Sequence, residues 1–122
     1  MGTTRALLYS RDLLFSSRIQ GAAAAAGVEV RRVRSAADSE AALAEGPGLL
    51  IADLTAGEDV MDLLTLARSR LGSAVRIIGY YPHVEDELAQ QARAAGADEA
   101  MPRSKLLHRL EGLCRELATT SS

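Results

Sequence analysis

Asp53 is the residue of this chain best placed to do chemistry. It closes the apolar run Leu49-Leu50-Ile51-Ala52-Asp53-Leu54, and Thr55-Ala56-Gly57 follows directly. In a parallel α/β sheet, an acid at the C-terminal end of a buried strand lies on the edge where such sheets bind ligands and react. The same placement has a purely structural use, in which the carboxylate caps the next turn or pairs with Arg11 or Arg103.

The other candidate groups stand singly. His83 sits in Tyr80-Tyr81-Pro82-His83 at the same edge, without a second His or Cys beside it to build a metal site, and reads as a solvated loop residue. His108 lies between helix arginines and reads as surface. Cys114, the one cysteine, falls on the apolar face of a helix and reads as a buried structural thiol. Ser16 and Ser17 read as solvent-facing hydroxyls of the first helix. No glycine-rich phosphate cradle is present, and no serine has a plausibly placed histidine, which excludes the common nucleotide-binding and hydrolase patterns. Arg31, Arg32 and Arg34 form a small basic cluster, but a formal charge of −2 and 3% aromatic residues give no nucleic-acid footprint. No run approaches the ~18 apolar residues of a membrane span, and no signal-type segment opens the chain. The expectation is a cytoplasmic protein that binds neither nucleic acid nor membrane.

The elements that must position Asp53 can be read in order. The chain has 122 residues, with 48% hydrophobic and 25% charged, which suits one globular domain over 1–122. Ala6-Leu7-Leu8-Tyr9 reads as a first strand. Asp12 is placed to cap a helix with Leu14, Phe15, Ile19 and the alanines on its buried face, ended by Gly27. Val28 to Val33 alternates apolar and polar residues, as an edge strand does. Ser35 opens a helix to Glu45, closed by Gly46-Pro47-Gly48. Leu49 to Asp53 is a third strand, apolar enough to be covered on both faces. Helices follow at Glu58–Leu71, Val84–Ala95 and Leu106–Leu117, with strands at Val75–Tyr80 and Glu99–Met101. Thr119 to Ser122 is expected to fray. Five β-then-α units predict an α/β, flavodoxin-like, doubly wound five-stranded parallel sheet of order 2-1-3-4-5 with helices on both faces. That order sets the loop Ser10-Arg11-Asp12 opposite Asp53.

With these elements in place, the chain resembles the receiver domain of bacterial response regulators, the CheY-like domains. The resemblance covers about residues 5 to 118 and rests on Leu49 to Leu54 and on Ala94-Ala95-Gly96-Ala97-Asp98-Glu99-Ala100. It implies that Asp53 holds the phospho-acceptor position. It also implies two adjacent acids for Mg²⁺ after the first strand, where this chain has Ser10-Arg11-Asp12. Asp12 is then either the second acid or the residue after it. Arg11 would oppose a divalent cation directly, or pair with Asp53 in its place. The hydroxyl position at the end of the fourth strand falls on Gly79 or Tyr80. Arg103 stands at the lysine position, followed by Ser104, and the switch aromatic maps to Ala100. Arginine keeps the charge there but not the compact ammonium.

Phosphoryl transfer depends mainly on positioning and charge neutralisation. The expectation is therefore a stand-alone degenerate receiver, or pseudo-receiver. It would be a protein–protein interaction module of bacterial signal transduction, working without phosphorylation and without catalysis or a cofactor. Tyr80, Tyr81, Leu106 and Leu107 are the expected partner surface. The resemblance implies the fourth helix, fifth strand and fifth helix as a homodimer face. Two other readings stay open. One is a phospho-acceptor phosphorylated on Asp53 by a histidine kinase, with a weak Mg²⁺ site at Asp12 and Asp53. The other is a small-molecule or anion site in the crevice of Ser10, Arg11, Asp12, Gly79, Tyr80, Arg103 and Ser104.

Overall fold

The computed structural model describes residues 5–57, 59–82 and 86–120. Strands and helices alternate: β1 (Arg5–Tyr9), α1 (Leu13–Ala25), β2 (Glu29–Val33), α2 (Ala36–Leu43), β3 (Leu49–Asp53), α3 (Val60–Leu71), β4 (Arg76–Tyr81), α4 (Asp86–Ala95), β5 (Glu99–Pro102) and α5 (Arg103–Thr120). The strands form one parallel sheet of order β2-β1-β3-β4-β5. β3 is thus central, flanked by β1 and β4, and all five of its residues are buried.

Side chains of a strand alternate between the two faces of the sheet, and here each face has its own core. Leu7, Tyr9, Leu50, Ala52, Ile77 and Tyr81 join α3 residues such as Val60, Leu63 and Leu64 in one cluster. Ala6, Leu8, Leu49, Ile51, Ile78 and Tyr80 join Phe15 and Ile19 of α1 and Leu106, Leu110 and Cys114 of α5 in the other. Tyr80 and Tyr81 are therefore 2% and 6% exposed, because β4 is an interior strand covered on both sides. The expectation of a tyrosine surface is corrected by that geometry. Leu106 is fully buried as well, and of the expected partner residues Leu107 alone reaches solvent, in part.

Local chemistry sets the ends of the elements. Asp12 caps α1, its Oδ1 accepting from the Phe15 amide at 3.0 Å, and Ser35 caps α2 through the Asp38 amide. The cap fixes the phase of α1, so its buried face is Phe15, Ser16, Ile19 and Ala23. Leu14 faces solvent, contrary to its expected place in the core, and Ser16 is buried rather than exposed. Among the described residues the Ser16 hydroxyl is the buried side-chain group without a hydrogen-bond partner. Two glycines have specific work. Gly96 adopts φ +120°, and a Cβ there would also press on Arg68. Gly79 lets Leu54 fold back over β4, since an added Cβ would meet the Leu54 methyls at 2.9 Å.

Several boundaries differ from the periodicity. α5 starts at Arg103 and runs through Thr120, taking in two of the residues expected to fray. β4 and β5 each extend one residue further, to Tyr81 and Pro102; Pro102 is tolerated because β5 is an edge strand. His83, Val84 and Glu58 lie outside the described residues, as do Ser121 and Ser122. Among the described residues no helix is long and apolar enough to cross a membrane.

Candidate functional site

Asp53 ends β3 facing a cleft of about 400 Å³ lined by Arg11, Asp12, Asp53, Thr55, Ala56, Tyr80, Pro82 and Arg103. Its carboxylate is nearly buried, with the residue 8% exposed. Both of its hydrogen bonds fall on Oδ1, from the Thr55 amide at 2.9 Å and the Thr55 hydroxyl at 2.7 Å. The Ala56 amide closes the turn on the Asp53 carbonyl. This is an Asx-type turn, in which the side chain satisfies backbone donors that follow the strand. Of the two structural uses of the acid, the turn cap is present.

The loop after β1 is tied down from several directions. Ser10 is buried, and its Oγ accepts from the Asp12 amide at 3.1 Å and from the Tyr80 hydroxyl at 3.0 Å. Its carbonyl accepts from Arg32 of β2 at 3.2 Å. Burial pushes the Tyr80 phenol far above its ordinary pKa, and the Asp53 and Asp12 charges push the same way against the Ser10 hydrogen bond. Tyr80 is therefore a neutral phenol across the physiological range, a brace rather than an acid.

The two arginines of the cleft go elsewhere than Asp53. Arg103 pairs with Asp12 Oδ2 at 3.5 Å and lies 5.3 Å over the Phe15 ring, a cation–π contact of about 0.5–1 kcal/mol at an exposed site. Phe15 in turn packs on Tyr80 with centroids 5.0 Å apart. Arg11 lies along Gly57, its guanidinium 3.5 to 3.7 Å from where a Cβ of that residue would stand. Of the crevice expected from sequence, Arg11, Asp12, Tyr80 and Arg103 line the cleft. Ser10 lies beneath it. Gly79 is packed against Leu54 and Ser104 lines a neighbouring groove, so neither faces Asp53. The sequence reading missed Thr55, Ala56 and Pro82; the Asp-x-Thr spacing of an Asx turn was the available signal for Thr55.

The donor set does not fit Mg²⁺. A hard, octahedral cation takes carboxylates and water, but Asp12 already gives Oδ1 to the α1 cap and Oδ2 to Arg103. Among the described residues no cluster of three metal-ligating side chains exists. A divalent ion would also have to enter beside two guanidinium groups.

No protein-family model and no curated protein matches the chain. Solved structures do. The signal receiver domain of a DNA-binding response regulator from Colwellia psychrerythraea 34H superposes with a TM-score of 0.81 at 16% identity, over 95% of this chain and 98% of that one. A response regulator from Thermotoga maritima gives 0.80 at 15% identity, over 97% and 99%. The chain has the receiver fold. An atypical orphan response regulator, described as having a phosphorylation-independent regulatory mechanism, gives 0.72 at 16% identity, over 92% and 96%.

Arg103 follows β5 at the C-terminal edge where Asp53 ends β3, whereas Ala100 lies within β5 beside Gly79 and does not line the cleft. Along α4, β5 and α5, the face implied for dimerisation, Gln90, Gln91, Arg93, Lys105 and His108 are exposed. Among the described residues, the exposed large apolar side chains lie instead on α1, at Leu13 and Leu14. Cys114 is buried against the sheet, and that burial raises its pKa, as a structural thiol requires.

Proposed function

We propose that this receiver-fold chain is a cytoplasmic protein–protein interaction module of signal transduction, independent of phosphorylation at Asp53 and without catalysis or a cofactor of its own. The observation that carries this reading is the double commitment of Asp12, to the α1 cap and to Arg103. It leaves Asp53 as the one cleft carboxylate without such a tie, and that acid is itself held by Thr55. A phosphoryl group arriving there would lack the metal charge that neutralises its transfer. The similarity to a response regulator described as phosphorylation-independent supports the same reading.

The test is a titration with Mg²⁺ and beryllium fluoride, followed by amide resonances around Asp53 and Thr55. The expected result is no saturable shift at millimolar Mg²⁺. Saturable shifts that vanish in Asp53→Asn would establish a phospho-acceptor and overturn the proposal.

A further inference from the structure

The exposed large apolar side chains of the described residues are neighbours: Leu13 is 64% exposed and Leu14 81%. They open α1 and form a knob beside the cleft. Arg18 stands one turn beyond Leu14, on the same helix face, and both line a shallow groove with Phe15 and Leu107. Arg11 precedes the knob. Among the described residues, neither Arg11 nor Arg18 forms an ion pair.

The other layer of the molecule carries the complement. Between α2 and α3 runs a groove of about 360 Å³ lined by Leu63 and Leu66 and by the acids Glu40, Asp59 and Asp62. Among the described residues Asp59 and Asp62 meet no cation, and Glu40 reaches only Arg70, at 3.8 Å. Among the described residues, one surface therefore offers exposed leucines beside Arg18, and the other an apolar groove beside Asp59 and Asp62. A contiguous apolar patch rimmed by charge marks an interaction surface.

We propose that the Leu13–Leu14 knob of one copy seats in the α2–α3 groove of a second copy of this chain. Leu13 and Leu14 rest on Leu63 and Leu66, and Arg18 faces Asp59 and Asp62. Knob and groove lie on opposite layers of the fold, so the contact is heterologous. The pair keeps one knob and one groove unused, one on each copy, and association continues head to tail. The contact does not depend on whether Asp53 accepts a phosphoryl group.

Sedimentation equilibrium over a range of protein concentrations tests it. The wild-type weight-average mass should rise with concentration at low salt and fall back toward the monomer near ~0.5 M salt, where charge pairing is screened. A knob variant (Leu13→Glu with Leu14→Glu) and a groove variant (Asp59→Arg with Asp62→Arg) should each stay monomeric. All four positions are exposed, and circular dichroism checks that both variants fold. Mixed, the two should form a one-to-one dimer and stop there, since only one intact contact remains to be made. A wild type that stays monomeric, a variant that associates alone like wild type, or a mixture that gives no dimer or grows past one would each overturn the proposal.

Discussion

Tyr80 donates its hydroxyl to Ser10 Oγ at 3.0 Å, reaching from β4 over the central strand to the loop after β1. The bond stands directly beneath the cleft and couples the two strands that flank Asp53. It ties the cleft floor across the central strand.

Tyr80→Phe removes that bond while keeping the ring against Phe15. Ser10 still accepts from the Asp12 amide, so the expected loss is about 0.5–1.5 kcal/mol of unfolding free energy. Urea denaturation with an unchanged slope measures it. A neutral result would mean that the phenol contributes only its ring.

Asp12 has two uses, and two substitutions separate them. Asp12→Asn keeps a side-chain oxygen for the α1 cap but ends the pairing with Arg103, which is surface-exposed and worth about 0–1 kcal/mol. Asp12→Ala also removes the cap and should cost about 1 kcal/mol more. Equal losses in the two variants would show that the cap contributes nothing.

Arg68 is the main polar tie at the opposite end of the sheet. Its guanidinium donates to the carbonyls of Gly96, Gly72 and Val75 and pairs with Asp98 at 2.8 Å. Asp98 in turn accepts from the Ile77 amide. Arg68→Ala strands these acceptors and should lower stability by about 2–3 kcal/mol. Arg68→Lys should recover less than half, because an ammonium cannot span the same fork. Thermal denaturation of the two variants checks the order.

Glu99 gives the fold an acid-sensitive component. The Arg109 hydrogen bond, and after it the Arg76 bond, hold its carboxyl below the ordinary range against the opposing effect of burial. A depressed native pKa means that the unfolded chain takes up the proton first as pH falls. The stabilisation is present above the unfolded carboxylate pKa and is lost as pH drops through the lower native value. Stability should therefore fall below about pH 5, and Glu99→Gln should flatten that limb. An unchanged acid limb in the variant would assign the loss to other carboxylates.

The sheet was legible in the sequence because its patterns are strong. Leu49 to Asp53 is apolar because β3 is covered on both faces, and the alternation over Glu29 to Val33 belongs to an edge. Asp53 at the end of the central strand follows from the same pattern. The side-chain directions were not legible. Leu14 belongs to a helix whose small alanines blur its apolar face, so only the Asp12 cap fixes which leucine turns outward. Tyr80 and Tyr81 look like a surface pair in a chain poor in aromatics, yet successive residues of an interior strand feed opposite cores. Arg103 had two acids within reach of its loop. The Phe15 ring beneath its guanidinium favours Asp12, and that ring is placed by tertiary packing alone.

The separation of the two cores bears on how the cleft is attached to the fold. Leu50 and Ile51 are adjacent in the chain, yet they belong to different clusters on either side of the sheet. Arg11, Asp12, Thr55 and Arg103 belong to neither. The rim meets one compartment through the Asp12 cap on α1 and the Arg103 contact with the Phe15 ring. The cleft is thus fastened to the α1–α5 side by local bonds, while the packing that sets the sheet is housed in other side chains of the chain.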